Sequence, residues 1–277
     1  MPDSPVTLLV RTAGTNCDAE LAHAFERAGS RIERVHVDRL IAEPDRLAHA
    51  SILAFPGGFS YGDDIASGRI LATKLRERLA GPLQRAVDRG ALVIGVCNGF
   101  QVLVQAGLLP AAPGLDARCV TLTDNASARF QDEWAEMTPE PASPCIWTRP
   151  LVAMADRLDA TVRADVLQYP VAHAEGRLIA ASEDTLDALE ATGQVALRYG
   201  REVNGSARSI AGLCDPTGRV FGLMPHPERY LDWNRHPYWS RLPDSVLDRE
   251  TPGLAMFRAA VDAARQSDAH DASSVRA

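Results

Sequence analysis

Short apolar runs alternate along this chain with longer segments whose apolar positions recur every three or four residues, and glycine- or proline-containing turns separate the two. Such alternation marks βαβ units, in which buried parallel strands are joined by crossover helices. Thr7 to Val10 predicts the first strand, Asp18 to Ala28 a helix stopped by Gly29, and Ile32 to Val37 the second strand. Ser51 to Phe55 and Leu92 to Val96 predict inner strands. The Arg-rich amphipathic stretch from Ile65 to Arg89 predicts helix between them, broken or kinked at Gly81-Pro82, because proline lacks the N–H and crowds the preceding turn. Asn98 to Ala106 predicts a helix ending at Gly107.

The second half reads as richer in strands, at Cys119 to Leu122, Leu178 to Ala180, Gln194 to Tyr199, Ile210 to Cys214 and Val220 to Leu223, with a helix from Leu254 to Arg265. Asp124 to Pro150, carrying Pro139, Pro141 and Pro144, is expected to cross the surface as a loop, and Asn204-Gly205 to make a tight hairpin turn. Rings cluster after Arg229, in Tyr230, Trp233, Tyr238 and Trp239, and need either a groove on their own domain or a partner surface. The expected fold class is α/β, a mostly parallel central sheet flanked by helices. One domain is expected over residues 5–265, with 266–277, polar and small, as a flexible C-terminal tail.

Candidate chemistry lies where strands end. In Gly95-Val96-Cys97-Asn98-Gly99 a cysteine stands between a predicted strand and a predicted helix, flanked by glycines that remove Cβ atoms from a sharp turn. A helix N-terminus at that point favours thiolate and aims N–H groups at a reacting carbon. A buried structural cysteine would explain Cys97 alone. A base for it is offered by Met224-Pro225-His226-Pro227-Glu228-Arg229. The prolines exclude helix there and push the segment to extended geometry, in which His226 and Glu228 share a face, so Glu228 holds one ring nitrogen and leaves the other for the thiol. Nucleophile, base and orienter are then Cys97, His226 and Glu228. After the strand Ile52-Leu53-Ala54, the loop Phe55-Pro56-Gly57-Gly58-Phe59-Ser60-Tyr61-Gly62-Asp63-Asp64 reads alone as a connecting turn, but beside a nucleophile the N–H groups of its paired glycines can supply half of an oxyanion hole, and the N–H of Asn98 the other half.

Composition narrows the compartment and the partners. A chain of 277 residues with 46% hydrophobic content buries one large core, and a net charge of −7 argues against a nucleic-acid surface. Five cysteines without a C-x-x-C pair argue against disulfides and zinc knuckles and for a cytoplasmic setting. Met1 to Pro5 has no signal-peptide character, and no apolar stretch is long enough to span a bilayer. The single lysine, Lys74, does not follow a glycine loop, so there is no Walker phosphate loop, and no Gly-x-Gly-x-x-Gly fingerprint is present either. Nucleotide chemistry is expected on another polypeptide, and no cofactor or metal is expected in this one.

The stretches at Cys97, at Pro56-Gly57-Gly58 and at His226 together resemble the class I (triad) glutamine amidotransferases, and more closely the family of glutaminase subunits of phosphoribosylformylglycinamidine synthase. Gly14-Thr15-Asn16-Cys17-Asp18, Arg129-Phe130 with Trp134, His173-Ala174-Glu175-Gly176-Arg177, and Asn204-Gly205-Ser206 with Ile210-Ala211-Gly212 add to the likeness, which covers Val6 to Arg229. It implies a flavodoxin-like three-layer sandwich, a glutaminase that passes ammonia to a partner synthetase using ATP and Mg, and a small bridging third subunit. It also implies Cys97 as nucleophile, His226 and Glu228 as its partners, Gly58 and Asn98 as oxyanion donors, and Gln101 near bound glutamine. His173 reads equally as a surface side chain or a substrate contact, since Ala174 stands where the family usually has glycine and an αL position there would be strained. Alternative readings are the glutaminase of another amidotransferase, a noncatalytic regulatory subunit of the same fold, and a stand-alone cysteine hydrolase.

Overall fold

A computed structural model describes residues 4–112, 114–116 and 118–274. The strands are β1 (Val6–Arg11), β2 (Arg31–His36), β3 (Ile52–Phe55), β4 (Leu92–Val96), β5 (Val120–Thr123), β6 (Gln131–Pro139), β7 (Gln168–His173), β8 (Arg177–Ala180), β9 (Val195–Tyr199), β10 (Ile210–Cys214) and β11 (Val220–Leu223). The helices are α1 (Asp18–Ala28), α2 (Val37–Ala42), α3 (Arg69–Asp88), α4 (Asn98–Ala106), α5 (Arg149–Ala155), α6 (Ala160–Val166), α7 (Glu183–Ala191), α8 (Asp244–Leu247) and α9 (Pro252–Ser274).

Among the described residues the main sheet has nine strands in the order β2-β1-β3-β4-β11-β10-β9-β6-β7, and β5 pairs with β8 in a separate antiparallel ribbon. β2, β1, β3, β4 and β11 run parallel, and β10, β9, β6 and β7 extend the sheet in antiparallel fashion. β3 and β4 are buried at every residue, as expected for strands covered on both faces, whereas β2 at the edge exposes Arg31 and His36. α1 and α5 pack on α9, α3 packs on α4, and these are the two helical layers of an α/β/α sandwich. Phe25 of α1 meets Phe257 of α9 edge-on at 5.0 Å between ring centroids.

Several elements differ from the sequence-based expectation. Residues 124–150 are not a surface loop: β6 joins the main sheet between β9 and β7, and Cys145 and Trp147 are fully buried. β6 turns only Ala135, Met137 and Pro139 into the core, so its polar sequence hides its pairing. α3 starts at Arg69 and runs unbroken through Pro82. Gly81 before the proline has no Cβ to crowd the pyrrolidine ring, which removes one of the two clashes that end helices. Asn204-Gly205 is not a two-residue turn but part of the longer β9–β10 connection, where the Asn204 carbonyl accepts from Ala126 N–H and its side chain from Ser206 N–H. The helix expected over Leu254 to Arg265 is longer than that, since α9 spans Pro252–Ser274, with Asp268 accepting from Ser51 Oγ at 2.7 Å. Residues 275–277 lie outside the described part. The aromatic segment packs mainly on its own domain: Tyr230 is fully buried against Trp134, Tyr169, Trp233 and His236, while Tyr238 and Trp239 remain exposed.

Candidate active site

β3, β4 and β11 are adjacent and parallel, with Phe55 opposite Gly95 and Val96 opposite Leu223, so the segments that follow them emerge at one carboxyl edge. This edge is where open α/β sheets place their ligands. Gly57-Gly58, Cys97 and His226 are those segments.

Cys97 sits at the turn from β4 into α4 with φ 51° and ψ −109°, a left-handed backbone that a non-glycine residue adopts at a cost of about 1–3 kcal/mol. The neighbours hold it there. Its N–H donates to Leu223 O at 2.8 Å, and its carbonyl accepts from Phe100 and Gln101 at 2.9 and 3.2 Å. The elbow also needs its glycines, since a Cβ on Gly99 would stand 1.9 Å from Phe55 O and one on Gly95 would stand 2.5 Å from Gly99 O.

His226 follows β11 and is anchored by N–H donation to Pro170 O at 2.8 Å. Its Nδ1 meets Glu228 Oε1 at 2.6 Å, with both side chains almost wholly out of solvent. The expected extended geometry for this pair is corrected. Pro227, with its φ already helical, opens a 3₁₀ turn over Pro227–Arg229, and that turn rather than a strand brings the carboxylate round to the ring. Burial opposes charge on His226, but the Glu228 carboxylate, and after it the Cys97 sulfur, more than offset that and raise its pKa to about 10. Nε2 carries no hydrogen bond. A Cβ placed on Gly57 would lie 3.0 Å from His226 Cε1 and 3.4 Å from Cys97 Cβ, so the Cys97 and His226 side chains approach one point, and only glycine leaves it open.

Gly58 has φ +135°, and a Cβ there would fall 2.7 Å from both Asn16 N and Gly14 O. Neither its N–H nor that of Asn98, at the first position of α4, is taken by a backbone carbonyl among the described residues. The Asn98 side chain accepts from Ser60 N–H and donates to Asp63 and Gln101. Gln101 in turn donates to Glu175 O, so it is tied to the loop after β7.

Cys97, His226, Gly58 and Gln101 line a cavity of about 320 Å³ together with Phe130, Ala172, His173, Glu175 and Arg229. His173 is buried rather than on the surface. Its Nδ1 lies 3.1 Å from Asn125 Oδ1, and burial, helped by nearby His226, lowers its pKa to about 4, which keeps the ring neutral. Ala174 has no positive φ, so the residue that replaces the usual glycine there is unstrained. Residues that the sequence reading left without a role include Asp63, whose carboxylate ties Gly68 N–H and Ser67 Oγ to the glycine loop, and Asn125, whose contact with His173 spans a distance along the chain that no local pattern reveals. Cys17 was legible only as part of a motif, yet its sulfur lies 3.3 Å from the same point at Gly57. Burial and the Glu228 charge push its thiol up to about 12 despite Arg229, whose Nη2 is 3.2 Å away.

A strained cysteine at a strand–helix turn, a buried carboxylate-held imidazole and N–H groups not taken by backbone carbonyls make an arrangement with the parts that acyl transfer through a thioester requires. Residues 4–262 match the family model of the CobB/CobQ-like glutamine amidotransferase domain. The chain belongs to the glutamine amidotransferases. This amidotransferase is 42% identical to the phosphoribosylformylglycinamidine synthase subunit PurQ of Dehalococcoides mccartyi, over 94% of this chain and 98% of that one. It is 37% identical to PurQ of Methanococcus maripaludis, over 82% and 83% of the two chains. The structure of PurLQS from Thermotoga maritima superposes with a TM-score of 0.67 at 30% identity, covering 94% of this amidotransferase and 98% of that chain. No described helix is long and apolar enough to cross a membrane.

Proposed function

We infer that this chain is the glutaminase subunit of a cytoplasmic phosphoribosylformylglycinamidine synthase. The observation that carries the reading is the buried 2.6 Å His226–Glu228 contact beside the strained Cys97, in a chain 42% identical to a PurQ subunit over nearly its whole length.

The Cys97 thiolate attacks the side-chain amide carbon of glutamine, and the tetrahedral oxyanion rests on the N–H groups of Gly58 and Asn98. His226, held as imidazolium by Glu228, gives its proton to the departing nitrogen, and ammonia leaves. The glutamyl thioester is then hydrolysed by water that the neutral imidazole activates, which restores the imidazolium. Gln101 and neutral His173 shape the wall around the bound amino acid. Ammonia set free in water would be protonated and lose its nucleophilicity, so it passes to a synthetase subunit that activates formylglycinamide ribonucleotide with ATP and Mg, in an assembly with a small bridging subunit. This chain itself needs no cofactor for the glutaminase step.

The test is reconstitution with the synthetase subunits. Cys97→Ala is expected to abolish glutamine-dependent formylglycinamidine ribonucleotide synthesis and to leave synthesis from added ammonia intact. Loss of both would overturn the assignment. Glutaminase turnover of the isolated chain is expected to be weak and to rise on assembly, because ungated hydrolysis would waste glutamine.

A further inference from the structure

Cys17 is the one thiol beside the triad that the thioester chemistry does not use. It follows β1 at the same sheet edge, and a ligand atom of Cys17, one of His226 and one of Glu228 lie within 4.8 Å of one another, all three residues buried. Within these residues, His226 Nε2 and Glu228 Oε2 are buried without any hydrogen-bond partner. Thiolate, imidazole and carboxylate are the ligand types of tetrahedral zinc sites, where bonds of about 2.0–2.3 Å set ligand atoms roughly 3.3–3.8 Å apart. The wider separations in the cluster, at most 4.8 Å, need to close by about an ångström to meet that geometry, and the 2.6 Å His226–Glu228 contact needs to open by a little less.

We propose that Cys17, His226 and Glu228 form a binding site for a thiophilic divalent cation, Zn²⁺ as the type case, which switches the glutaminase off by occupying its base. Three protein ligands leave a fourth position, which opens onto the cavity that Cys97 lines. Binding displaces the protons of Cys17 and His226 to solvent and draws Glu228 away from its hydrogen bond with the ring. The imidazole then can neither give nor take a proton, and the thiol loses its partner. Arg229, whose Nη2 now contacts Cys17 Sγ, has Glu20 3.3 Å from its Nε and can keep that ion pair as the cation takes the sulfur. Hard oxygen-seeking cations such as Mg²⁺ gain little from this set, because one ligand is sulfur and one nitrogen.

The inhibitory effect rests on the glutaminase reading, but occupancy does not, and the two are measured separately. Zn²⁺ and Co²⁺ are titrated into the full chain, following bound metal by equilibrium dialysis and thiolate-to-cobalt charge-transfer absorption. The expected result is one ion per chain, retained in Cys97→Ser and weakened at least tenfold in Cys17→Ser, with Mg²⁺ failing to compete. In the reconstituted synthase, glutamine-dependent turnover is expected to fall with Zn²⁺ and recover with chelator, and Cys17→Ser is expected to need at least tenfold more Zn²⁺ for the same fractional loss relative to its own metal-free rate. Equal affinity in wild type and Cys17→Ser, in a variant whose thermal melt shows it folded, would overturn the site. Binding without inhibition would overturn the switch and leave the site standing.

Discussion

Replacing Glu228 by Gln keeps the size and one acceptor oxygen but deletes the charge that His226 faces at 2.6 Å in a dry environment. The carboxylate is the largest influence that favours the imidazolium, in a ring whose pKa rises from 6.5 to about 10 against the pull of burial. At ~1.4 kcal/mol per pH unit, that rise amounts to roughly 5 kcal/mol of preference for the protonated form, shared between Glu228 and the Cys97 sulfur. Losing the larger share removes about 3 kcal/mol or more, which for a group engaged throughout the reaction is about 10²- to 10⁴-fold in kcat. The assay is glutamate release by the reconstituted synthase, with ammonia-dependent synthesis as the control for assembly. KM for glutamine is expected to change little, and ammonia-dependent synthesis not at all. The same substitution has a signature in unfolding. A histidine whose pKa is raised on folding adds stability that is fully present below its unfolded value near 6.5 and is lost as pH rises through about 10, so wild type weakens across that window and Glu228→Gln is expected to flatten the slope. A loss of less than tenfold in kcat, in a folded variant with an unchanged pH slope, would refute the role given to the carboxylate.

Gly58→Ala places a Cβ 2.7 Å from two backbone atoms at φ +135°, so the donor must move, and a fall of about 10²–10³-fold in glutamine-dependent kcat is expected while ammonia use persists. Gly99→Ala sets a methyl 1.9 Å from Phe55 O between packed backbones, and a loss of about 3 kcal/mol or more is expected in urea melts; a variant as stable as wild type would show that the elbow relaxes freely. His173, held neutral with a pKa of about 4, is expected to contribute no ionisation to kcat/KM between pH 5 and 8, so His173→Gln should lower the plateau without moving its limbs.

The parallel half of the molecule was legible because its inner strands are continuous apolar runs, and Cys97 and His226 stood out because each lies in a short segment where glycine or proline dictates the turn. What escaped has physical causes. β6 earns its place in the sheet through three inward side chains among charged ones, a pattern too sparse to read without its neighbours β9 and β7. The His226–Glu228 contact was legible in the sequence, but its backbone was not, since Pro227 both excludes a continued strand and starts a helical turn. Asn125, which fixes His173, acts through a contact between distant parts of the chain, and Asp63 pins the glycine loop through hydrogen bonds from nearby Ser67 and Gly68 and from distant Asn98 that no periodic pattern marks.

Cys97 and His226 are carried by neighbouring hydrogen-bonded strands, with Leu223 in register with Val96. Their separation is thus metered by the spacing between paired strands, about 4.8 Å, and not by the excursion from Asn98 to Pro225 that joins them in the chain. Insertions or deletions in the surface loops of that excursion leave the metering untouched as long as β4 and β11 stay paired and Pro170 keeps its bond to His226, so those loops can be remodelled to suit a new companion protein while the chemistry keeps its gauge.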